Sequence, residues 1–242
     1  MPRVLEKDEY ESRDSVEAYD RMVSKYQPIV HNGFVERVAE YFSEGRILDV
    51  GAGTGQIVIE LAKNGKFELT ALDVSEVMLE KAKENVAKNG VGEKISFVLG
   101  DVLKTELSEK FDAVISFNVL HHFAGPHVFW QRLERFTKDE GSIFLEDLVR
   151  PPKLFIPVLA WLFGGFDRET RKQYRESLEA SLSKAEWKML QIEASKKRKA
   201  FLKRNFITHM SIMAIGESRQ KERRVRLKGS LFSQLAKYLF YR

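Results

Sequence analysis

The chain has 242 residues, 43% of them hydrophobic, a length and composition for one domain or one domain with an appendage. It has no cysteine, which excludes disulfides, thiolate metal sites and cysteine nucleophiles. Its net charge of +5 is uneven: residues 219–242 carry eight Lys or Arg against Glu222 alone, so the preceding 218 residues net −2 and overall basicity is a poor argument for a nucleic-acid substrate. The first fifteen residues are charged and lack an apolar core of the secretory type. The longest apolar run, Leu154 to Phe163, is too short to span a bilayer. The expectation is a cytoplasmic protein.

In chain order, Val16, Tyr19, Val23 and Tyr26 fall at helical spacing and predict a helix over 15–26. Phe34, Val35, Val38, Ala39 and Phe42 predict a second over 32–44. Strand and helix patterns then alternate. Strands are predicted at about 46–50, 67–72, 94–99, 112–117 and 141–147, with helices over 55–64, 75–89 and 126–137. Ser75 is placed to cap the second of these helices. This alternation predicts an α/β domain with a parallel sheet covered on both faces. The regularity stops at Arg150-Pro151-Pro152. Helical stretches follow at about 153–163, 167–180 and 183–199, then two β-rich runs at 200–206 and 208–215, read as an antiparallel hairpin closing the sheet. The expected division is a domain over 1–218, with lid helices at about 15–44 and 153–199, and a basic amphipathic appendage at 219–242.

Residues 47–55 are the most informative. Ile47 to Val50 form a short apolar run that breaks into Gly51, Gly53 and Gly55. A buried strand running into a tight glycine turn and then a helix builds a nucleotide cradle, because glycine allows unusual dihedrals and close approach of a ligand. Asp73 ends the second strand, where a carboxylate can accept two hydrogen bonds from a ribose diol. Asp101 follows the third strand, positioned to accept from an adenine amine between Val102 and Leu103. Asn118-Val119-Leu120-His121-His122 follows the fourth. Four consecutive strand ends thus converge on one elongated ligand. A nicotinamide dehydrogenase would want G-x-G-x-x-G and a separate substrate domain; this chain has G-x-G-x-G and little room for one.

The set Asp49-Val50-Gly51-Ala52-Gly53-Thr54-Gly55, Asp73, Asp101 and Asn118 to His122 resembles the class I S-adenosylmethionine-dependent methyltransferase family over roughly residues 15–150. Leu120 to Phe123 with Pro126 and Trp130, Glu146 to Pro151 and Tyr174 to Ser181 further resemble a small single-domain subgroup. The resemblance implies a Rossmann-like seven-stranded, mostly parallel sheet with an antiparallel last strand and a helical lid insertion. It implies S-adenosylmethionine as methyl donor and S-adenosylhomocysteine as product. By the same resemblance Gly51, Ala52, Gly53, Thr54 and Gly55 pass beside the amino-acid portion of the cofactor, with Asp49 ordering that loop. Asp73 holds the ribose, with Val74 and Met78 beside it. Asp101 and Val102 meet the adenine, and Asn118 and Val119 line the methionyl end.

Methyl transfer from a sulfonium releases a neutral thioether, so the protein must chiefly align the acceptor and exclude water. His122, Asp147 and Tyr19 are the catalytic candidates. His122 is either a base near neutral pH or a histidine packed in support of the loop. Asp147 and Arg150 either orient an acceptor or form a structural ion pair. Tyr19 either closes over the cofactor or belongs to the core. His121, Arg150, Tyr174 and Arg175 are candidates for the acceptor and lid, with helical solvation an equal account of Arg175. Trp161, Phe163 and Phe166 form either an apolar mouth or the buried side of the lid. No metal site is expected. The expected acceptor is a small molecule; RNA or protein methylation anchored by the basic tail, and a non-catalytic cofactor-binding scaffold, are the alternatives. In residues 219–242, Leu231, Phe232, Leu235, Ala236, Leu239 and Phe240 share a helical face suited to a protein groove, a membrane surface or the domain itself.

Overall fold

Apolar alternation along the strands decides the layering. In the computed structural model, which describes residues 3–6, 12–26, 28–164, 168–205 and 208–217, two helices lead into the sheet: α1 (Arg13–Tyr26) and α2 (Pro28–Ala39). Then come β1 (Glu44–Val50), α3 (Gln56–Asn64), β2 (Lys66–Asp73), α4 (Glu76–Lys88), β3 (Ile95–Leu99), β4 (Phe111–Phe117), α5 (Pro126–Phe136) and β5 (Thr137–Leu148). The second half adds α6 (Ile156–Phe163), α7 (Arg168–Ala180), α8 (Lys184–Ala194), β6 (Lys199–Asn205) and β7 (His209–Ile215). Phe166 and the segment 219–242, with its expected amphipathic face, lie outside the described residues. Among the described residues no helix is long and apolar enough to cross a membrane.

The seven strands form one sheet in the order β3-β2-β1-β4-β5-β7-β6. All neighbours from β3 to β5 pair in parallel, and β7 runs antiparallel to both β5 and β6. The predicted hairpin is present, with its second strand inserted beside β5. Because successive strand residues point to opposite faces, Ile47, Ala113, Ile115 and Phe144 pack one core with α2 and α3. Leu48, Val114, Ile143 and Leu145 pack the other with α5 and α8. Such double burial is what a parallel sheet requires. Strand order reverses direction between β1 and β4, so their carboxyl ends diverge into a crevice, the usual ligand position in open α/β sheets.

Several boundaries differ from the sequence reading. The helix expected over 32–44 is α2, ending at Ala39; Tyr41 and Phe42 still reach the core, through a turn that sets their rings 5.9 and 6.1 Å from Phe144. The helix expected over 183–199 stops at Ala194, because Arg198 is drawn to the sheet: its Nε donates to Gly141 O (2.8 Å) and its Nη2 to Lys138 O (2.8 Å). The start of α8 is fixed by a capping box, in which Ser183 and Glu186 each accept from the other's backbone N–H. Leu148, Ile156 and Leu178, with Leu159 and Tyr174 against them, seat α6 and α7 over the end of β5. Trp161 is 67% exposed, so it does not belong to the buried side of these helices.

Candidate active site

The glycine turn is held by two backbone bonds, from Gly51 N and Ala52 N to Leu72 O (2.8 and 3.1 Å). Gly51, Gly53 and Gly55 all lie at positive φ (75°, 53° and 83°), the region that favours glycine. A Cβ on Gly51 would stand 2.3 Å from Val119 Cγ2, so the first glycine exists to let β4's loop close over it. Around Gly53 there is space; the nearest atom to a built Cβ is Tyr19 Cε1 at 3.9 Å.

Three polar atoms at this turn are buried without a hydrogen bond: Asp49 Oδ2, Thr54 Oγ1 and Asn118 Oδ1. Buried polar groups are ordinarily satisfied, and the exceptions mark strain, function or a missing ligand. Burial, aided by the neighbouring Asp73 charge, pushes the Asp49 carboxyl up to about 8. Asn118 adopts φ 56°, the single non-glycine residue at positive φ among the described residues. Its backbone N–H donates to Glu146 O (2.9 Å), which fixes the loop in that conformation.

Asp73 accepts from Gly53 N (2.8 Å) and from Ser75 N (2.9 Å). Both carboxylate oxygens are thereby oriented at the turn, one by each backbone donor. Gly100 N donates to Asp73 O (2.9 Å), bringing Asp101 to the same edge. Asp101 Oδ1 accepts from Leu103 N (2.8 Å) and Oδ2 pairs with Lys104 Nζ (3.2 Å). Val74, Leu99 and Leu103 are exposed beside these acids, with Val74 at 67%. Val102 and Met78 are buried beneath, and Met78 N donates to the capping Ser75 Oγ (3.3 Å).

Sequence reasoning missed the tie that brings α1 to this turn. Asp20 Oδ1 accepts from Gln56 Nε2 (3.0 Å) and Asn85 Nδ2 (2.9 Å), and the same Asn85 amide donates to Thr54 O (3.0 Å). No local pattern links residues 20, 56 and 85, so no sequence signal announced them. The tie sets Tyr19 over Gly53. Burial, then the carboxylates of Asp73, Glu6 and Asp20, push the Tyr19 phenol well above its usual value, so it is a donor and not a base.

Asp147 meets His121, not Arg150. Asp147 Oδ2 accepts from His121 N (3.0 Å), and Oδ1 lies 2.7 Å from His121 Nδ1. Glu6 Oε2 lies 3.3 Å from the other ring nitrogen. Burial alone would lower the His121 pKa, but the Asp147 and Glu6 carboxylates raise it to about 10. The expected Asp147–Arg150 pair is replaced by Arg150 Nη2 on Glu186 Oε2 (2.9 Å), because Asp147 turns toward the β4 loop. The His122 ring stands 4.3 Å from that of His121, centroid to centroid.

The remaining lid candidates do not converge on the crevice. The Tyr174 hydroxyl donates to Thr208 Oγ1 (3.1 Å), and burial pushes it up to about 12, so it ties α7 to the β6–β7 connection. Arg175 makes an exposed pair with Glu179 one turn on (3.0 Å). Two histidines that the sequence did not single out flank Phe117 at the end of β4: His31 edge-on at 5.0 Å and His209 stacked at 5.9 Å between ring centroids. Burial holds both neutral, lowered to about 3 and about 4.

A family model described as a methyltransferase domain matches residues 42–205. The chain is 39% identical over 87 residues to a ribosomal protein L11 methyltransferase of an Exiguobacterium species, covering 36% of this chain and 27% of that protein. It is 28% identical over 159 residues to the magnesium-protoporphyrin O-methyltransferase of Rhodobacter capsulatus, covering 63% of this chain and 69% of that protein. The chain thus spans about a quarter of the first relative's length and about two thirds of the second's. Among solved structures, the plantazolicin methyltransferase BpumL, in complex with a monoazolic desmethylPZN analog and SAH, superposes with TM-score 0.68 over 84% of this chain and 91% of that chain, at 17% identity. At that identity the likeness is one of fold. With the family match spanning most of the sequence, and the sheet order, glycine turn and strand-end acids in place, the chain belongs to the methyltransferase-domain family, as a class I S-adenosylmethionine-dependent member.

Proposed function

We propose that this protein binds S-adenosylmethionine at the carboxyl ends of β1 to β4 and transfers its methyl group to a small-molecule acceptor. The observation that carries the reading is the trio of buried, unsatisfied oxygens at the glycine turn, Asp49 Oδ2, Thr54 Oγ1 and Asn118 Oδ1. They fit a ligand bearing an ammonium and other donors. When bound, the cofactor supplies a methyl carbon already activated by positive sulfur.

The chain's own residues then divide the work. Asp49 and Asn118 face the amino-acid end, where a cation restores the charge that burial suppresses on Asp49. Asp73, preset by Gly53 and Ser75, takes the ribose diol. Asp101 takes the adenine amine, and the exposed Val74, Leu99 and Leu103 cover the ring's faces. Tyr19 covers the turn, and α1 and α7 limit water. The His121 imidazolium accepts no proton at neutral pH, so it holds its loop in place of serving as a base.

The relatives support a small-molecule acceptor through where they are similar. The O-methyltransferase likeness covers 63% of this chain, whereas the ribosomal-protein methyltransferase likeness covers about a third and supports no reading of the acceptor. The test is calorimetry with S-adenosylhomocysteine on the wild type and on Asp73→Ala. Losing charged hydrogen bonds worth about 1.5–3 kcal/mol each is expected to weaken binding by roughly 10- to 100-fold or more. A folded wild-type protein that binds neither donor nor product would end the proposal. A labelled methyl donor offered with a panel of phenols, carboxylic acids and thiols then identifies the acceptor.

A further inference from the structure

Glu6, near the start of the chain, meets His121 and His122, which follow β4 at its middle, beside the crevice. One ligand-capable atom from each lies within 4.8 Å of the others. Glu6 Oε2 and His121 Nε2 are 3.3 Å apart. Glu6 Oε2 is buried, and its contact with the imidazole is a close ion pair outside the geometry of an aligned hydrogen bond. Two atoms held about 2.0–2.1 Å from one tetrahedral ion stand roughly 3.3–3.4 Å apart. That spacing is the one two ligands of a single ion have.

The surroundings have the form of a supported site. Asp147 Oδ1 lies 2.7 Å from His121 Nδ1, and its Oδ2 accepts from His121 N. A carboxylate behind a ligating imidazole orients the ring and sets which nitrogen faces the ion. Glu6 is positioned by Arg3, whose Nε donates to Ala180 O at the end of α7 (2.7 Å) and whose Nη2 donates to His121 O (3.0 Å). His121 and His122 are consecutive, three and four residues beyond Asn118, with ring centroids 4.3 Å apart.

We propose that Glu6, His121 and His122 bind one divalent transition metal, which takes the place of the proton on His121 Nε2 and releases it to solvent, with the two-nitrogen, one-oxygen donor set suited to zinc. Three protein ligands leave a fourth position open. Because the cluster follows Asn118 directly, that position serves an oxygen acid of the acceptor, a phenol or enol. Its O–H bond breaks as the metal–oxygen bond forms, and the proton leaves to solvent. The acceptor's part rests on the proposed methyl transfer; metal binding does not.

The test uses the full-length protein, stripped with a chelator and titrated with Zn²⁺ by calorimetry and with Co²⁺ by visible absorption. Binding of about one equivalent is expected, with the intense d–d bands of a tetrahedral Co²⁺ site. Glu6→Gln and His122→Asn are expected to weaken binding at least 10-fold, and the supporting Asp147→Asn about 10- to 100-fold. His127→Ala removes an exposed histidine on α5 and is expected to change nothing. Circular dichroism melting confirms that each variant is folded. No binding by the wild type, undiminished binding by folded Glu6→Gln, or loss of binding in His127→Ala would overturn the site. S-adenosylhomocysteine is titrated in parallel: product binding without zinc binding overturns the metal site alone, and zinc binding without product binding overturns the methyl-transfer reading.

Discussion

At Asp49 stability and function pull in opposite directions. The side chain is 2% exposed, one of its oxygens is unsatisfied, and its pKa stands near 8 against an ordinary 3.8. A carboxyl whose pKa is raised on folding contributes stability that is fully present below pH 3.8 and is lost progressively as pH rises to about 8. Asp49→Asn removes that dependence. The variant is expected to melt higher than the wild type, with a difference that widens from pH 5 to pH 8 and then levels, read by calorimetric melting across that range. The same change is expected to weaken product binding, because a neutral amide cannot match a bound ammonium. A variant with the same pH profile as the wild type would remove Asp49 as the titrating group.

Elements here are placed by their ends more than by their middles. α8 begins where Ser183 and Glu186 satisfy each other's backbone donors, and it ends where Arg198 reaches back to the carbonyls of β5. Removing a serine cap costs about 1 kcal/mol. Ser183→Ala is therefore expected to lower Tm by roughly 2–4 °C in a domain of this size, with product binding unchanged, since α8 packs with α5 and the β6–β7 hairpin and makes no contact with the glycine turn among the described residues. α1 is held differently, through Asp20 on Gln56 and Asn85, contacts that couple a peripheral helix to the glycine turn. The amphipathic pattern of 15–26 sufficed to recognise the helix, but its docking partner is set by side chains from two other helices.

For the molecule as a whole, the second half of the chain is fastened to the first by a buried polar knot. Arg37 of α2 pairs with Glu146 of β5, and Asn205 of β6 donates to the same carboxylate (2.9 Å) and to Ser211 of β7 (2.7 Å). Burial raises Glu146 to about 7, against the pull of Arg37 and Asn205. Removing one partner of a buried ion pair costs about 3–5 kcal/mol. Arg37→Ala is expected to lower Tm by roughly 10 °C at pH 8. Acid relieves the loss, because Glu146 protonated below about 7 needs no cation. A loss in Tm that is equal at pH 5 and pH 8 would show that packing, not charge, holds the knot.

What the sequence by itself determined was everything written in consecutive residues: the alternating strands and helices, the glycine turn after β1, the acids that end β2 and follow β3, and Asn118 after β4. Each is local, because a strand's last residue and the loop beyond it are joined covalently, so their place at the carboxyl edge follows once the sheet is parallel. Tertiary structure alone decided the pairings. Asp147 takes His121 and leaves Arg150 to Glu186, Tyr174 is spent on Thr208, and His31 and His209 come together around Phe117. Such partners depend on which strands become neighbours and on how helices cross them, and those distances are set by packing, not by spacing along the chain.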